Sequence, residues 1–125
     1  MRVWIYTRLS NDDDPERDSL QNQERICREF AAQRGDNIVG LSSDDNISGM
    51  NFSRRGLSRL TAAVEAGGLD GVVVKDLSRL ARHRTQTTLF IDYLRERGVR
   101  VLSATERLDT FREEDDLIIG VRGLM

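Results

Sequence analysis

The segment Arg2-Val-Trp-Ile-Tyr-Thr-Arg-Leu-Ser10 lies near the beginning of the chain, and the rest of the predicted fold is organised around it. Its apolar run, from Val3 to Tyr6, is rich in β-forming residues and predicts a short buried strand. The strand leads into a cation, Arg8, and then a hydroxyl, Ser10. Because active sites on open sheets lie at strand ends, both residues are candidates for chemistry. Taken alone, so short a motif fits a loop serine and a solvated arginine better.

The length and composition describe one soluble globular domain. The chain has 125 residues, of which 38% are hydrophobic and 32% charged, enough for a single modest core. Its net charge of −2 is unusual for a domain that binds nucleic acid, but the arginines and the acids cluster in different segments. Cys27 is the only cysteine, so no disulfide can form within the chain. Neither a signal peptide nor a membrane-spanning segment is present, which predicts a cytoplasmic location.

Strand and helix patterns alternate along the chain. An acidic loop at residues 11–18, which we expect to be solvated, precedes an amphipathic helix from Ser19 to Arg34 that Gly35 ends. Either Asp18 or Ser19 is expected to cap the start of this helix. Further strands are predicted around residues 38–41, 71–74 and 99–102, with a loop at 42–53 and a short edge strand at 108–111. This alternation predicts a parallel sheet with helices on both faces.

Three more helices complete the pattern. One has Leu57, Leu60 and Val64 at helical spacing and is predicted to end at Gly67-Gly68. The helix that ends at Gly98 is predicted to bury the side chains of Leu89, Phe90, Tyr93 and Leu94. From about Glu113 the apolar residues again have helical spacing, which continues to Met125. Because neither a cap nor a glycine ends this helix, we expect the chain to stop within a longer helix.

A parallel sheet places its strand-to-helix loops along one edge, and these loops hold the candidates for chemistry. The candidates are Arg8 and Ser10 after the first strand, Ser48 and Arg54 after the second, and Lys75, Ser78, Arg79 and Arg82 after the third. Arginine offers a planar, permanently charged fork that matches two phosphate oxygens. Several arginines around one serine would stabilise the additional negative charge of a five-coordinate phosphorus in the transition state. The pattern therefore predicts phosphoryl transfer to the serine hydroxyl. Arg79 and Arg82 would share a face on one helical turn, although either could simply pair with surface acids.

Other reaction classes lack the residues that they need. His83 is the only histidine, and neither a G-x-S-x-G elbow nor a G-x-x-x-x-G-K-[ST] loop occurs. A metal-dependent nuclease could draw on Asp12 to Asp14, or on Asp44 and Asp45, but acids in polar loops are more often solvated or capping. We therefore predict a reaction without metal or cofactor.

Four motifs in order resemble the catalytic domain of the serine site-specific recombinases, the resolvase/invertase family. They are Tyr6-x-Arg8-x-Ser10, Ser19-Leu-Gln-Asn-Gln23, Asp45-Asn-Ile-Ser-Gly49 followed by Arg54, and Lys75-Asp-Leu-Ser-Arg-Leu-Ala-Arg82. The resemblance covers nearly the whole chain, and the last motif is more similar to the large recombinases, of integrase or transposase type. It implies a three-layer α/β/α fold whose five-stranded sheet is mostly parallel, with an antiparallel edge strand.

The resemblance also implies roles for individual residues. Ser10 would be the nucleophile that attacks a DNA phosphodiester and forms a 5′-phosphoserine link before strand exchange and religation. The arginines Arg8, Arg79 and Arg82 would activate the phosphate. Supporting or phosphate-contacting positions would be Arg54, Gln23, Ser48, Tyr6, Lys75 and Ser78.

The family's other parts are expected outside this chain. The resemblance implies that residues 1–125 form a catalytic domain truncated within its last helix, and that the DNA-binding domains are absent. Double-stranded DNA would then be bound by the full-length protein, which would form dimers and tetramers in a bacterium or phage-infected cell. Two alternatives are a non-catalytic module that binds phosphate or nucleotide on the same fold, and the metal-dependent nuclease considered above.

Overall fold

The computed structural model describes residues 1–46 and 54–112 of the chain. Its elements, in chain order, are β1 (Arg2–Leu9), α1 (Leu20–Arg34), β2 (Asn37–Asp45), α2 (Arg55–Ala66), β3 (Gly71–Val74), a 3₁₀ helix (Leu77–Arg79), α3 (Arg84–Glu96), β4 (Arg100–Ser103) and β5 (Leu108–Asp109). The predicted alternation of strands and helices is confirmed. The helix expected from Glu113 lies outside the described residues.

The five strands form one mixed sheet in the order β2-β1-β3-β4-β5. All pairs are parallel except β4 with β5, which is the predicted antiparallel edge. β3 is central, and all four of its residues are buried, as its continuous run of valines predicts. Because β1, β2 and β3 run in the same direction, the loops that follow them meet at one edge of the sheet.

Apolar side chains cover the sheet on both faces. On one face α1 packs through Cys27 and Ala31 against strand residues such as Val3 and Ile5. On the other face α2 and α3 pack against Tyr6 and several valines, with the buried side chains Leu60, Val64, Leu80, Ile91 and Leu94. The predicted three-layer fold, with its own core on each side of the sheet, is confirmed.

Local sequence determines the ends of α1. The Ser19 hydroxyl accepts a hydrogen bond from the backbone N–H of Asn22 at 3.1 Å, which satisfies one of the unpaired donors at the start of a helix. Gly35 ends the helix with φ +76°, a left-handed conformation that glycine adopts without steric cost.

β2 is longer than the sequence pattern indicates. Residues 42–45 were predicted to be loop, but they pair in parallel with β1 from Tyr6 to Leu9. The inward side chains of this segment, Ser42 and Asp44, are polar and bond to groups of β1 and α2, so a hydrophobic pattern does not reveal the strand. The Ser42 hydroxyl accepts from Trp4 Nε1 at 2.9 Å and donates to the Gly56 carbonyl at 2.7 Å.

The inward face of α3 also differs from the expected one. Leu89 was predicted to be buried, but its side chain is 63% exposed, and Ile91 is buried instead. Residues two positions apart in an α-helix point about 200° apart, so both cannot face the sheet. Leu94 is buried as predicted, while Phe90 and Tyr93 are partly buried at the edge of the core.

Candidate active site

Ser10 lies directly beyond the end of β1 and is 7% exposed. Its backbone N–H donates to Asp13 Oδ2 at 2.8 Å, and its hydroxyl Oγ donates to the same oxygen at 3.1 Å. The Asp13 N–H in turn donates to the Ser10 carbonyl at 3.1 Å. This tight turn holds the serine hydroxyl against a carboxylate that the sequence pattern had placed in solvent.

Arg79 reaches the same carboxylate from the other side of the site. It lies in the 3₁₀ helix after β3 and is 3% exposed. Its Nη1 donates to Asp13 Oδ2 at 2.7 Å and to the Arg8 carbonyl at 2.9 Å. The hydroxyl of Ser10 and the guanidinium of Arg79, which are distant in sequence, therefore converge on one anionic oxygen.

Both members of the Asp13–Arg79 ion pair are charged at neutral pH. Burial by itself would lower the pKa of Arg79, but Asp13 and Asp76 outweigh it, so that pKa is raised. Burial would also raise the pKa of Asp13, but hydrogen bonds from Arg79 and Ser10 outweigh it, so that pKa is lowered. A carboxylate with a lowered pKa is a weak proton acceptor.

Arg8 is buried and turned toward the 3₁₀ helix. Its Nε donates to the Arg79 carbonyl at 3.1 Å, and its Nη2 donates to the Ser78 carbonyl. Burial, followed by the nearby charge of Arg54, lowers the pKa of Arg8. Arg8 thus joins the end of β1 to the segment that carries Arg79.

An open cleft of about 270 Å³ brings three arginines together. Its lining residues are Arg8, Asn46, Arg54, Arg82, His83 and Gln86. Arg54 is fixed at the start of α2, where its Nη2 donates to the Leu80 carbonyl at 2.9 Å and to the Tyr6 hydroxyl at 3.3 Å. The cleft is therefore a concentrated positive region at the edge of the sheet that the sequence pattern indicated.

Arg79 and Arg82 do not share one helical turn, and this expectation was wrong. The 3₁₀ helix ends at Arg79, and α3 begins only at Arg84. Leu80, between them, is 1% exposed and anchors the connection in the core. Arg79 consequently faces Ser10, whereas Arg82 is exposed and lines the arginine cleft with Arg8.

Gln23 clamps the backbone at the end of β1. It is fully buried on α1, and its Nε2 donates to the carbonyls of Arg8 at 2.8 Å and Asp18 at 2.7 Å. Its Oε1 accepts from the Arg8 N–H at 3.2 Å. This amide therefore fixes the segment that leads to Ser10.

Tyr6 is held by a buried acid that also caps α2. The Tyr6 hydroxyl donates to Asp44 Oδ2 at 2.6 Å, and burial together with this bond raises the pKa of Tyr6. Asp44 also accepts from the backbone N–H groups of Gly56 at 2.8 Å and Leu57 at 3.0 Å. Only glycine allows so close an approach at position 56, because a Cβ there would lie 2.5 Å from the Ser43 carbonyl oxygen.

The remaining predicted residues have different surroundings. Lys75 pairs with Asp18, which is 3% exposed, and Ser19 rather than Asp18 caps α1. The expectation of a solvated loop was wrong for Asp13, which pairs with Arg79. The Ser78 hydroxyl donates to Asp76. Ser48 lies outside the described residues.

Sequence reasoning missed the acids of this site. Asp13, Asp18, Asp44 and Asp76 each pair with or orient a basic or phenolic group of the site. The available signal was indirect, since a buried arginine requires a carboxylate or carbonyl partner. Within residues 1–46 and 54–112, no three histidine, cysteine or acidic side chains are grouped so that they could hold a metal ion.

Comparison with known proteins shows which protein family the chain resembles. Residues 3–125 match the family described as the resolvase N-terminal domain. The N-terminal catalytic domain of TP901-1 integrase is 25% identical with a TM-score of 0.81, over 97% of this chain and 90% of that one. A resolvase-family site-specific recombinase from Streptococcus pneumoniae is 28% identical with a TM-score of 0.81, over 97% and 82% respectively. The C-terminal catalytic domain of ISC1926 TnpA, an IS607-like serine recombinase, is 28% identical with a TM-score of 0.70, over 99% and 78%.

The chain belongs to the resolvase family, whose N-terminal domain it matches over residues 3–125. The predicted resemblance and the predicted recombinase enzyme are both confirmed. Membership implies, in general terms, a DNA substrate and self-association. Among the described helices, none has the length and apolar character needed to cross a membrane.

Proposed function

We propose that the Ser10 hydroxyl attacks a DNA phosphodiester during site-specific recombination. The Ser10 Oγ–phosphorus bond forms as the bond from phosphorus to the 3′ oxygen breaks, which leaves a 5′-phosphoserine and a 3′ hydroxyl. The reverse attack by a 3′ hydroxyl on the phosphoserine reseals the strand. The observation that carries this proposal is the convergence of Ser10 Oγ and Arg79 Nη1 on one anionic oxygen.

The arginines provide the electrostatic part of the mechanism. Arg79 would contact the phosphate beside Ser10, while Arg8, Arg54 and Arg82 of the arginine cleft would hold its other oxygens or the adjacent backbone phosphates. Fixed guanidinium groups stabilise the charge that develops on phosphorus in the transition state. We propose that they do so without a metal ion or cofactor.

The supporting residues fix the geometry of the nucleophile. Gln23 clamps the backbone before Ser10, and Tyr6 is locked by Asp44 beside Arg54. Lys75 pairs with Asp18, and Ser78 lies in the 3₁₀ helix next to Arg79. We propose that Ser48 completes the site, as the family motif implies.

We propose that the active assembly is larger than this chain. The full-length protein would assemble into dimers and tetramers, and separate DNA-binding domains would recognise the site, since phosphate contacts and base contacts supply binding and specificity. The full-length protein would act on DNA in the cytoplasm of a bacterium or a phage-infected cell.

A denaturing gel tests the proposal. The full-length recombinase is incubated with its DNA site, with and without a chelator, as wild type and as Ser10→Ala. We expect a protein–DNA adduct in wild type, unaffected by the chelator and absent from Ser10→Ala, which still binds the site. An adduct in Ser10→Ala would remove Ser10 from the reaction. Phosphate binding without any adduct would instead support a non-catalytic module, and cleavage lost with the chelator would support a metal-dependent nuclease.

A further inference from the structure

The Asp13 carboxylate lies where the proposed reaction requires a phosphate. One of its oxygens accepts from the Ser10 N–H at 2.8 Å, from Ser10 Oγ at 3.1 Å and from Arg79 Nη1 at 2.7 Å. The hydroxyl and the guanidinium are the two groups that must both approach the scissile phosphate. A single carboxylate oxygen therefore makes the contacts that an anionic phosphate oxygen would make.

We propose that Asp13 is an internal substitute for the scissile phosphate and that the incoming phosphodiester displaces its carboxylate from Ser10 and Arg79. This inference rests on the proposed function, because it concerns the same phosphate. With Asp13 in place, Nη1 of Arg79 is already engaged, and a phosphate would meet a like charge at hydrogen-bonding distance. Asp13 thereby keeps the nucleophile and the arginine aligned but unreactive until DNA is seated.

The opposite role, a general base that takes the Ser10 proton, has less physical support. The geometry would permit the transfer, since Ser10 Oγ donates to Asp13 at 3.1 Å. The ion pair with Arg79 and the bond from the Ser10 N–H, however, keep the pKa of Asp13 below its ordinary value. A carboxylate with so low a pKa accepts a proton poorly, so its position beside the Ser10 hydroxyl would accelerate the attack very little.

The contact can be released without disturbing the core. The Asp13 side chain is partly buried at the surface, and its neighbours Asp12 and Asp14 are both exposed. Arg79 retains other partners, because its Nε and Nη2 each lie 3.3 Å from Asp76 Oδ2 and its Nη1 donates to a β1 carbonyl at 2.9 Å. After Asp13 leaves, the guanidinium therefore stays in position to receive another anion.

The direct test is a titration of the chain with inorganic phosphate. Binding is monitored by the NMR signals of the Ser10 amide and the Arg79 side chain. Asp13→Asn keeps the shape and removes the charge, and Asp12→Asn is the matched control because it makes the same change one residue away at an exposed position. We expect Asp13→Asn to bind phosphate at least about fivefold more tightly than wild type, since an occupied site lowers apparent affinity by the fraction of molecules that are open. Asp12→Asn should match wild type. Equal affinity in Asp13→Asn and wild type, or no phosphate signal at Arg79 in Asp13→Asn, would overturn the inference.

A second measurement separates the two roles of Asp13. The rate of adduct formation by the full-length recombinase on DNA is compared for wild type, Asp13→Asn and Asp12→Asn. The inference predicts that Asp13→Asn is at least as fast as wild type. A slower Asp13→Asn with an unchanged Asp12→Asn would overturn it, because Asp13 would then assist the reaction instead of blocking the phosphate. An adduct that persists in Ser10→Ala would refute the proposed function itself, whereas the phosphate titration needs no DNA cleavage and reports on Asp13 separately.

Discussion

Replacing Asp18 by asparagine should destabilise the fold in a manner that depends on pH. The Asp18 carboxylate is 3% exposed and pairs with Lys75, with Arg17 at 3.2 Å and with Arg79 at 3.7 Å. It also accepts from the Asp14 N–H at 3.2 Å. One acid therefore ties the loop after β1 to the two basic residues that follow β3.

The magnitude follows from the pKa. Burial by itself would raise the pKa of Asp18, but hydrogen bonds from Lys75 and Arg17 outweigh it and lower the pKa from 3.8 to about 2. Because the pKa is lower in the folded chain, this stabilisation is fully present above about pH 4 and is lost as the pH falls through about 2. At 1.36 kcal/mol for each pKa unit, Asp18→Asn should lower the free energy of unfolding by about 2 kcal/mol at pH 7.

Urea denaturation followed by circular dichroism, at pH values from 7 to 2, measures this difference. The wild-type and Asp18→Asn curves should be separated at pH 7 and should converge as the pH approaches 2. Asp12→Asn, at an exposed position, should follow wild type throughout. Equal stability at pH 7, or a gap that stays constant down to pH 2, would refute the assignment of this pKa to the ion pairs of Asp18.

Three further predictions test the site and the core. Arg79→Lys, whose single ammonium cannot reach Asp13 and Asp76 together as the guanidinium does, should slow adduct formation by about 100-fold with DNA binding retained. The same change at the exposed Arg84 is the control, and equal rates in the two variants would contradict the role. Gln23→Met should cost about 2–4 kcal/mol in urea denaturation, because two carbonyls and one N–H lose their buried partner, and an unchanged midpoint would contradict the clamp. Leu60→Ala, in the core, should cost about 2–5 kcal/mol, whereas Leu89→Ala, at 63% exposure, should change stability by less than about 0.5 kcal/mol. A similar loss in the two leucine variants would contradict the observed face of α3.

Most of the fold could be predicted because its signals are local. The run of valines from Gly71 to Val74 indicates a central parallel strand, and Gly35 marks the end of α1 by the conformation that only glycine adopts readily. Both features depend on residues that are close together in the sequence. The antiparallel direction of the edge strand was implied only by the family resemblance.

The features that were missed depend on partners that are distant in the sequence. Residues 42–45 have a polar composition, and only their pairing with β1 and the contacts of Ser42 and Asp44 make them a strand. Asp13 belongs to an acidic run that is typical of solvated loops, and its pairing with Arg79 joins residues 66 positions apart. Spacing could place the arginines at the correct edge of the sheet, but it could not show which acid each one faces.

Peptide mapping of the covalent adduct tests the central claim most directly. The full-length recombinase is trapped on its DNA site, digested with protease and nuclease, and analysed by mass spectrometry. The account predicts that the nucleotide remnant is joined through its 5′ phosphate to Ser10, in the peptide that follows β1. A remnant attached to any other side chain, or cleaved DNA with no attached peptide, would contradict it.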